Sequence, residues 1–145
     1  MFFRPPFVAL AVVSLLAAPP LAAQANRADS LRTAGQIDAA GKHAEARAIY
    51  QALIATAPDE AAKAAATRRL AMSYGYDANC AKVIELEQQL MQLDPQNYQH
   101  PLAVAQALMR QQRNPEALAM AKQALALAPE DQKAAIQQLV SQLGG

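Results

Sequence analysis

Few side chains in this 145-residue chain can do chemistry, and those few are badly spaced for it. Cys80 is the single cysteine, and His43 and His100 are the two histidines. A cysteine and a histidine work as nucleophile and base only when about 3 Å apart. His43 stands fifteen residues before Pro58, Cys80 fifteen before Pro95 and Asn114 fifteen before Pro129 (58 − 43, 95 − 80, 129 − 114). Equivalent places in stacked helical units lie on the order of 10 Å apart, the spacing of packed helices. The three are therefore expected to fill one recurring inter-helix slot, with Cys80 as a buried small hydrophobe. His100 falls in an expected loop before Pro101, with no second histidine or cysteine at ligand spacing, and a metal centre needs three or four ligands. Glu85 and Glu87, two apart on a helix, diverge and cannot act as a carboxylate pair. Glycines 35, 41, 75, 144 and 145 form no phosphate-cradling loop. No catalytic residue, metal site or cofactor is expected. Thiol chemistry at Cys80 is the one enzymatic alternative.

Charge narrows the partners. Residues 1–25 contain Arg4 as their only charge, an apolar run FVALAVVSLLAA at 7–18, Pro19-Pro20, and Ala23-Gln24-Ala25. That is the layout of a secretory signal with cleavage after Ala25. A membrane anchor would need about 18 to 20 apolar residues, more than this run supplies. The remainder, 26–145, holds 120 residues (145 − 25), enough for one domain with a modest core. Without Arg4, 12 basic residues (13 − 1) face 12 acidic ones. A neutral chain whose only remaining aromatics are tyrosines offers neither a phosphate-binding field nor a stacking platform, so nucleic acid is not an expected partner. One cysteine cannot form an internal disulfide even in an oxidising compartment. The expected location is periplasmic or secreted, with no stable membrane insertion after cleavage.

The elements that must carry any site are helical. Alanine, the strongest helix former, dominates after residue 25, and no run alternates with period two. Pro58, Pro95 and Pro129 each follow a helix-like run: AIYQALIATAP, LEQQLMQLDP and AKQALALAP. Their separations, 37 and 34 residues (95 − 58, 129 − 95), fall in the range of repeat architectures. The pattern predicts helix pairs at about 26–40 and 44–57, 60–75 and 79–93, and 99–112 and 115–128. Repeats then span about 26–58, 59–95 and 96–129. Gly41 separates one pair, Gly75 ends a helix, and Asn114 caps a helix with Pro115 in its first turn. A last helix, about 131–143, has an apolar stripe of Ile136, Leu139, Val140 and Leu143 and reads as a solvating cap.

This cadence resembles the tetratricopeptide repeat over essentially the whole segment after residue 25. With each proline counted as position 32, position 8 is Ala34, Ala71 and Ala105; position 20 is Ala46, Val83 and Ala117; position 11 is Ile37, Tyr74 and Leu108. Small residues let antiparallel helices approach, and large ones fill the space between them. The sequence departs at position 4 (Ser30, Thr67, Pro101) and at position 24 (Tyr50, Glu87, Ala121), and the second unit carries three extra residues near 59–63. The resemblance implies an all-α solenoid of three helix pairs plus a capping helix. It also implies a concave groove lined by the first helix of each pair.

Mapped residue by residue, the resemblance places Asp38, Arg68, Arg69, Met72, Tyr76, Gln99, Gln106, Met109 and Arg110 in that groove, with Lys133 and Gln137 of the cap beside them. Arginine offers a bidentate fork for carboxylates and methionine adapts to apolar side chains. The family's lysine and asparagine carboxylate clamp is absent. The expected function is a non-catalytic interaction module, an adaptor or scaffold of the bacterial envelope, that binds a partner protein or peptide segment. The alternative is an assembly factor or chaperone-like holder for an exported client.

Overall fold

The computed structural model describes residues 21–144, so all but the last few residues of the expected signal lie outside it. Among the described residues seven helices follow one another: α1 (Leu21–Ala39), α2 (His43–Ala55), α3 (Glu60–Tyr76), α4 (Cys80–Leu93), α5 (Gln99–Arg110), α6 (Asn114–Leu127) and α7 (Glu130–Gln142). Among the described residues there is no strand, and no helix is long and apolar enough to cross a membrane. α1 runs unbroken through residue 25.

The chain turns back on itself in the same way three times. After α1, α3 and α5 comes one residue in the left-handed region: Gly41 (φ 82°), Ala78 (φ 53°) and Gln112 (φ 60°). Each stands seventeen residues before its proline (58 − 41, 95 − 78, 129 − 112). At each, two backbone bonds close the helix end. Gly41, Ala78 and Gln112 N–H donate to the carbonyls of Asp38, Gly75 and Met109, and the following Lys42, Asn79 and Arg113 N–H donate to Ile37, Tyr74 and Leu108. This paired pattern satisfies carbonyls that a helix end would otherwise leave bare. Side chains start two of the helices. Asp59 accepts from Ala62 N–H (2.7 Å) and Asn79 from Lys82 N–H (3.2 Å). Asn114 does not cap α6; it is the first helical residue, after Arg113. Gly75 lies within α3, one residue before its end.

Packing runs between successive neighbours. Ala34, Ala46, Ala71, Ala105 and Ala117, at the register's small positions, are fully or almost fully buried. With only a methyl group to accommodate, the backbones come close, and Tyr50, Leu70, Leu86 and Leu90 fill the remaining space. α7 packs mainly on α6, covering Ala124, Ala128 and Leu125 with Ile136 and Val140, and Val140 joins Ala105 of α5 in one buried cluster. α1 reaches α3, but α3 and α5 do not approach each other, which leaves a groove floored by α4. α3 starts 35 residues before its proline and α5 starts 30 before its own (95 − 60, 129 − 99), while the stretch from the preceding proline to α3 is two residues shorter, which together give the three extra residues.

Candidate functional site

The groove between α3 and α5 encloses about 170 Å3, comparable to a cavity of about 150 Å3 that takes benzene. Met72 and Gly75 of α3 form one wall, Ala103, Gln106 and Arg110 of α5 the other, and Cys80, Val83 and Glu87 of α4 the floor. Three of the residues expected from the register, Met72, Gln106 and Arg110, thus meet at one opening. Arg69 borders a neighbouring one of about 430 Å3 between α1 and α3, with Leu31, Arg32, Gly35 and Gln36. Arg68 borders a third, with Glu60, Leu93 and Asp94. Among the described residues Met72 and Tyr76 are the exposed large hydrophobics, at 47% and 61%.

Two of the expected groove residues face elsewhere. Asp38 is 5% exposed and sits between helices, and Met109 is half-buried against the Val104, Leu108 and Ala117 cluster. Both lie on the side of their helices turned toward packed neighbours; Arg110, one residue beyond Met109 in the same turn, lines the groove. Lys133 pairs with Glu130 one turn away (2.5 Å), on the helix that packs on α6. Gln99 and Gln137 are exposed.

Asp38 anchors a network that the sequence did not suggest. Its Oδ1 accepts from Ser73 Oγ (2.9 Å) and from His43 Nδ1 (2.7 Å). A carboxylate only accepts, so Nδ1 carries the hydrogen. Arg47 donates to Ser73 Oγ (3.0 Å), to Ser73 carbonyl (2.6 Å) and to Asp77 (2.5 Å), and its guanidinium lies 4.2 Å from the Tyr74 ring centroid. His43 stacks on Tyr76 at 5.3 Å. Serine, histidine and aspartate are the types of a hydrolytic triad, but here the carboxylate stands between the other two. The histidine does not touch the hydroxyl, which is fully buried, so it cannot take its proton. The cluster ties α1, α2 and α3 together, a structural role.

The second polar cluster lies under the groove. His100 is in the first turn of α5, not in a loop, and is 2% exposed. Its Nδ1 lies 2.8 Å from Glu87 Oε2; its Nε2 is buried without a hydrogen-bond partner, with Asp94 Oδ2 3.9 Å away. Burial, partly offset by His100 and by the more distant Arg68, holds the Glu87 carboxyl above its ordinary range. A signal for this pair did exist, since Glu87 occupies the register position that Tyr50 fills in the first unit, and Tyr50 is core. Cys80 differs from its expected burial: it is half-buried and lines the groove. Asn114 is exposed, so the residues fifteen before each proline share no packing slot. Among the described residues no cluster of histidine, cysteine or carboxylates is arranged to hold a metal ion.

No protein-family model matches this chain, and no curated protein does. The fold is similar to two structures of the Yersinia enterocolitica type III secretion translocator chaperone SycD. One, an alternative dimer, superposes with a TM-score of 0.69 at 15% identity, covering 81% of this chain and 90% of that one. The other gives 0.69 at 16% identity over 88% of this chain and 94% of that one. At such identity the likeness establishes a helical-repeat fold.

Proposed function

We propose that this chain is a tetratricopeptide-type protein that binds another protein, holding a client segment along the face made by α1, α3 and α5 without catalysis of its own. The observation that carries this reading is the state of the arginines. Arg27 donates to the carbonyls of Leu53 and Thr56 at the end of α2, Arg32 pairs with Asp29, Arg47 with Asp77 and Arg113 with Glu116. Arg68, Arg69 and Arg110 are exposed and, among the described residues, have no ion-pair partner. Arg110 borders the same opening as exposed Met72, Arg69 borders the one between α1 and α3, Arg68 borders the third, and exposed Tyr76 ends α3. Unpaired guanidinium groups next to exposed apolar side chains suit a segment that alternates acidic and apolar residues.

A transient, chaperone-like hold is favoured over a fixed envelope adaptor because the similar structures are of a secretion chaperone. Export to the periplasm, directed by residues 1–25, belongs to the same reading, and N-terminal sequencing of the exported protein tests it: a mature start at Asn26 is expected. The binding test is a panel of immobilised peptides in which apolar residues alternate with Glu or with Lys. The Glu series is expected to bind, more weakly as salt rises. The variant R68A/R69A/R110A should lose at least about tenfold in affinity, roughly 1.4 kcal/mol, with an unchanged circular dichroism spectrum. Equal binding by that variant would move the site off this face.

A further inference from the structure

We propose that filling the groove between α3 and α5 is coupled to uptake of one proton by the Glu87–His100 pair in its floor, so that an apolar segment is held more tightly as the pH falls. The proposal rests on the reading of this groove as a client site and adds its regulation.

The geometry supplies the coupling. Glu87 lines the groove, its Oε2 is held by His100 Nδ1, and among the described residues no group donates a hydrogen bond to Oε1. Behind it, His100 is sealed from solvent and its Nε2 lacks a partner. The pair therefore has two states. Without the extra proton, a carboxylate faces a neutral imidazole and the net charge is minus one. With it, whether on Glu87 or on Nε2, the pair is neutral, and such a pair titrates as a unit. An apolar group lodged in the groove takes water away from the carboxylate, and desolvation disfavours the charged state. Occupation then favours the protonated pair, and by reciprocity the protonated pair favours occupation.

The charged and titratable neighbours are few. Arg68 on α3 favours the carboxylate, and Arg110 on α5 shares the groove. Asp94, at the end of α4 and 3.9 Å from Nε2, favours the added proton, and Cys80 shares the floor. Neither arginine lies within ion-pair distance of Glu87.

The test fills the groove from within. Gly75 lines it in ordinary helical geometry, and a Cβ built there meets nothing within 4 Å, so Gly75→Leu places an apolar side chain in the opening. The Glu87 carboxyl carbon and the His100 ring proton would be followed by NMR across pH in the protein and in Gly75→Leu. The midpoint of the pair is expected to rise by about half a pH unit, a threefold gain in proton affinity. Gly75→Ala should move it less, and E87Q in the Gly75→Leu background should remove the shared transition. A midpoint that stays fixed or falls overturns the proposal. Should Gly75→Leu not fold, a benzyl methanethiosulfonate adduct at Cys80 fills the same groove and is read in the same way. No client enters this experiment. A shifted pair with no peptide binding would sink the client reading alone, and peptide binding with an unshifted pair would sink the coupling alone.

Discussion

Asp38 and Glu87 show how much a carboxylate's meaning depends on its neighbours. Asp38 reads as a groove residue by count but is the acceptor that joins Ser73 to His43. Asp38→Ala should cost about 2–4 kcal/mol in urea unfolding, because it strands a buried hydroxyl and an imidazole donor. A residue pointing into open groove would cost under about 0.5 kcal/mol. Glu87 behaves differently. Burial raises its carboxyl above the ordinary range, so the folded protein binds this proton more readily than the unfolded chain does. Its contribution to stability is fully present below the unfolded value and is lost as the pH rises through the folded one. E87Q keeps an acceptor for His100 and carries no charge. Its stability relative to the parent protein should therefore be more favourable at about pH 7 than at about pH 4, as read from urea midpoints at both. A constant difference across that range would show that Glu87 is not desolvated.

At the scale of the element, the repeated reversal is the strongest internal sign of a common unit. Of the three reversals Gly41 supplies the one glycine; Ala78 and Gln112 adopt the left-handed conformation despite the clash of Cβ with the neighbouring carbonyl. Gly41→Ala should lower stability by about 1 kcal/mol, and Ala78→Gly should raise it by less than about 1 kcal/mol, since relief of strain is partly offset by backbone entropy. Thermal unfolding of the two variants checks both signs, and a loss at Ala78→Gly would mean that its backbone is unstrained. The helices themselves are held by what they bury. Leu90 is wholly inaccessible, and Leu90→Ala should cost about 2–5 kcal/mol.

At the scale of the molecule, a stack in which each helix meets mainly its neighbours has local stability. Val140→Ala, on the terminal helix that packs on α6 and the edge of α5, should speed hydrogen exchange in α5, α6 and α7 and leave α1 and α2 unchanged. Uniform acceleration would mean that the stack opens as one unit. The sequence by itself determined the helical class and its punctuation. Alanine propensity, prolines that cannot continue a helix and a recurring spacing act through neighbours close in the chain, so seven helices could be read within a few residues of their ends. It also marked Met72, Gln106 and Arg110, because a register fixes which face of a helix a residue takes. The tertiary structure alone decided what those faces meet. Asp38 and Ser73 are thirty-five residues apart (73 − 38) yet share a hydrogen bond. Glu87 and His100 are on different helices, and Cys80 is in a groove that exists only because α3 and α5 stay apart. Such pairings depend on the separation and rotation of packed helices, which the side chains at every interface set together and no local pattern encodes.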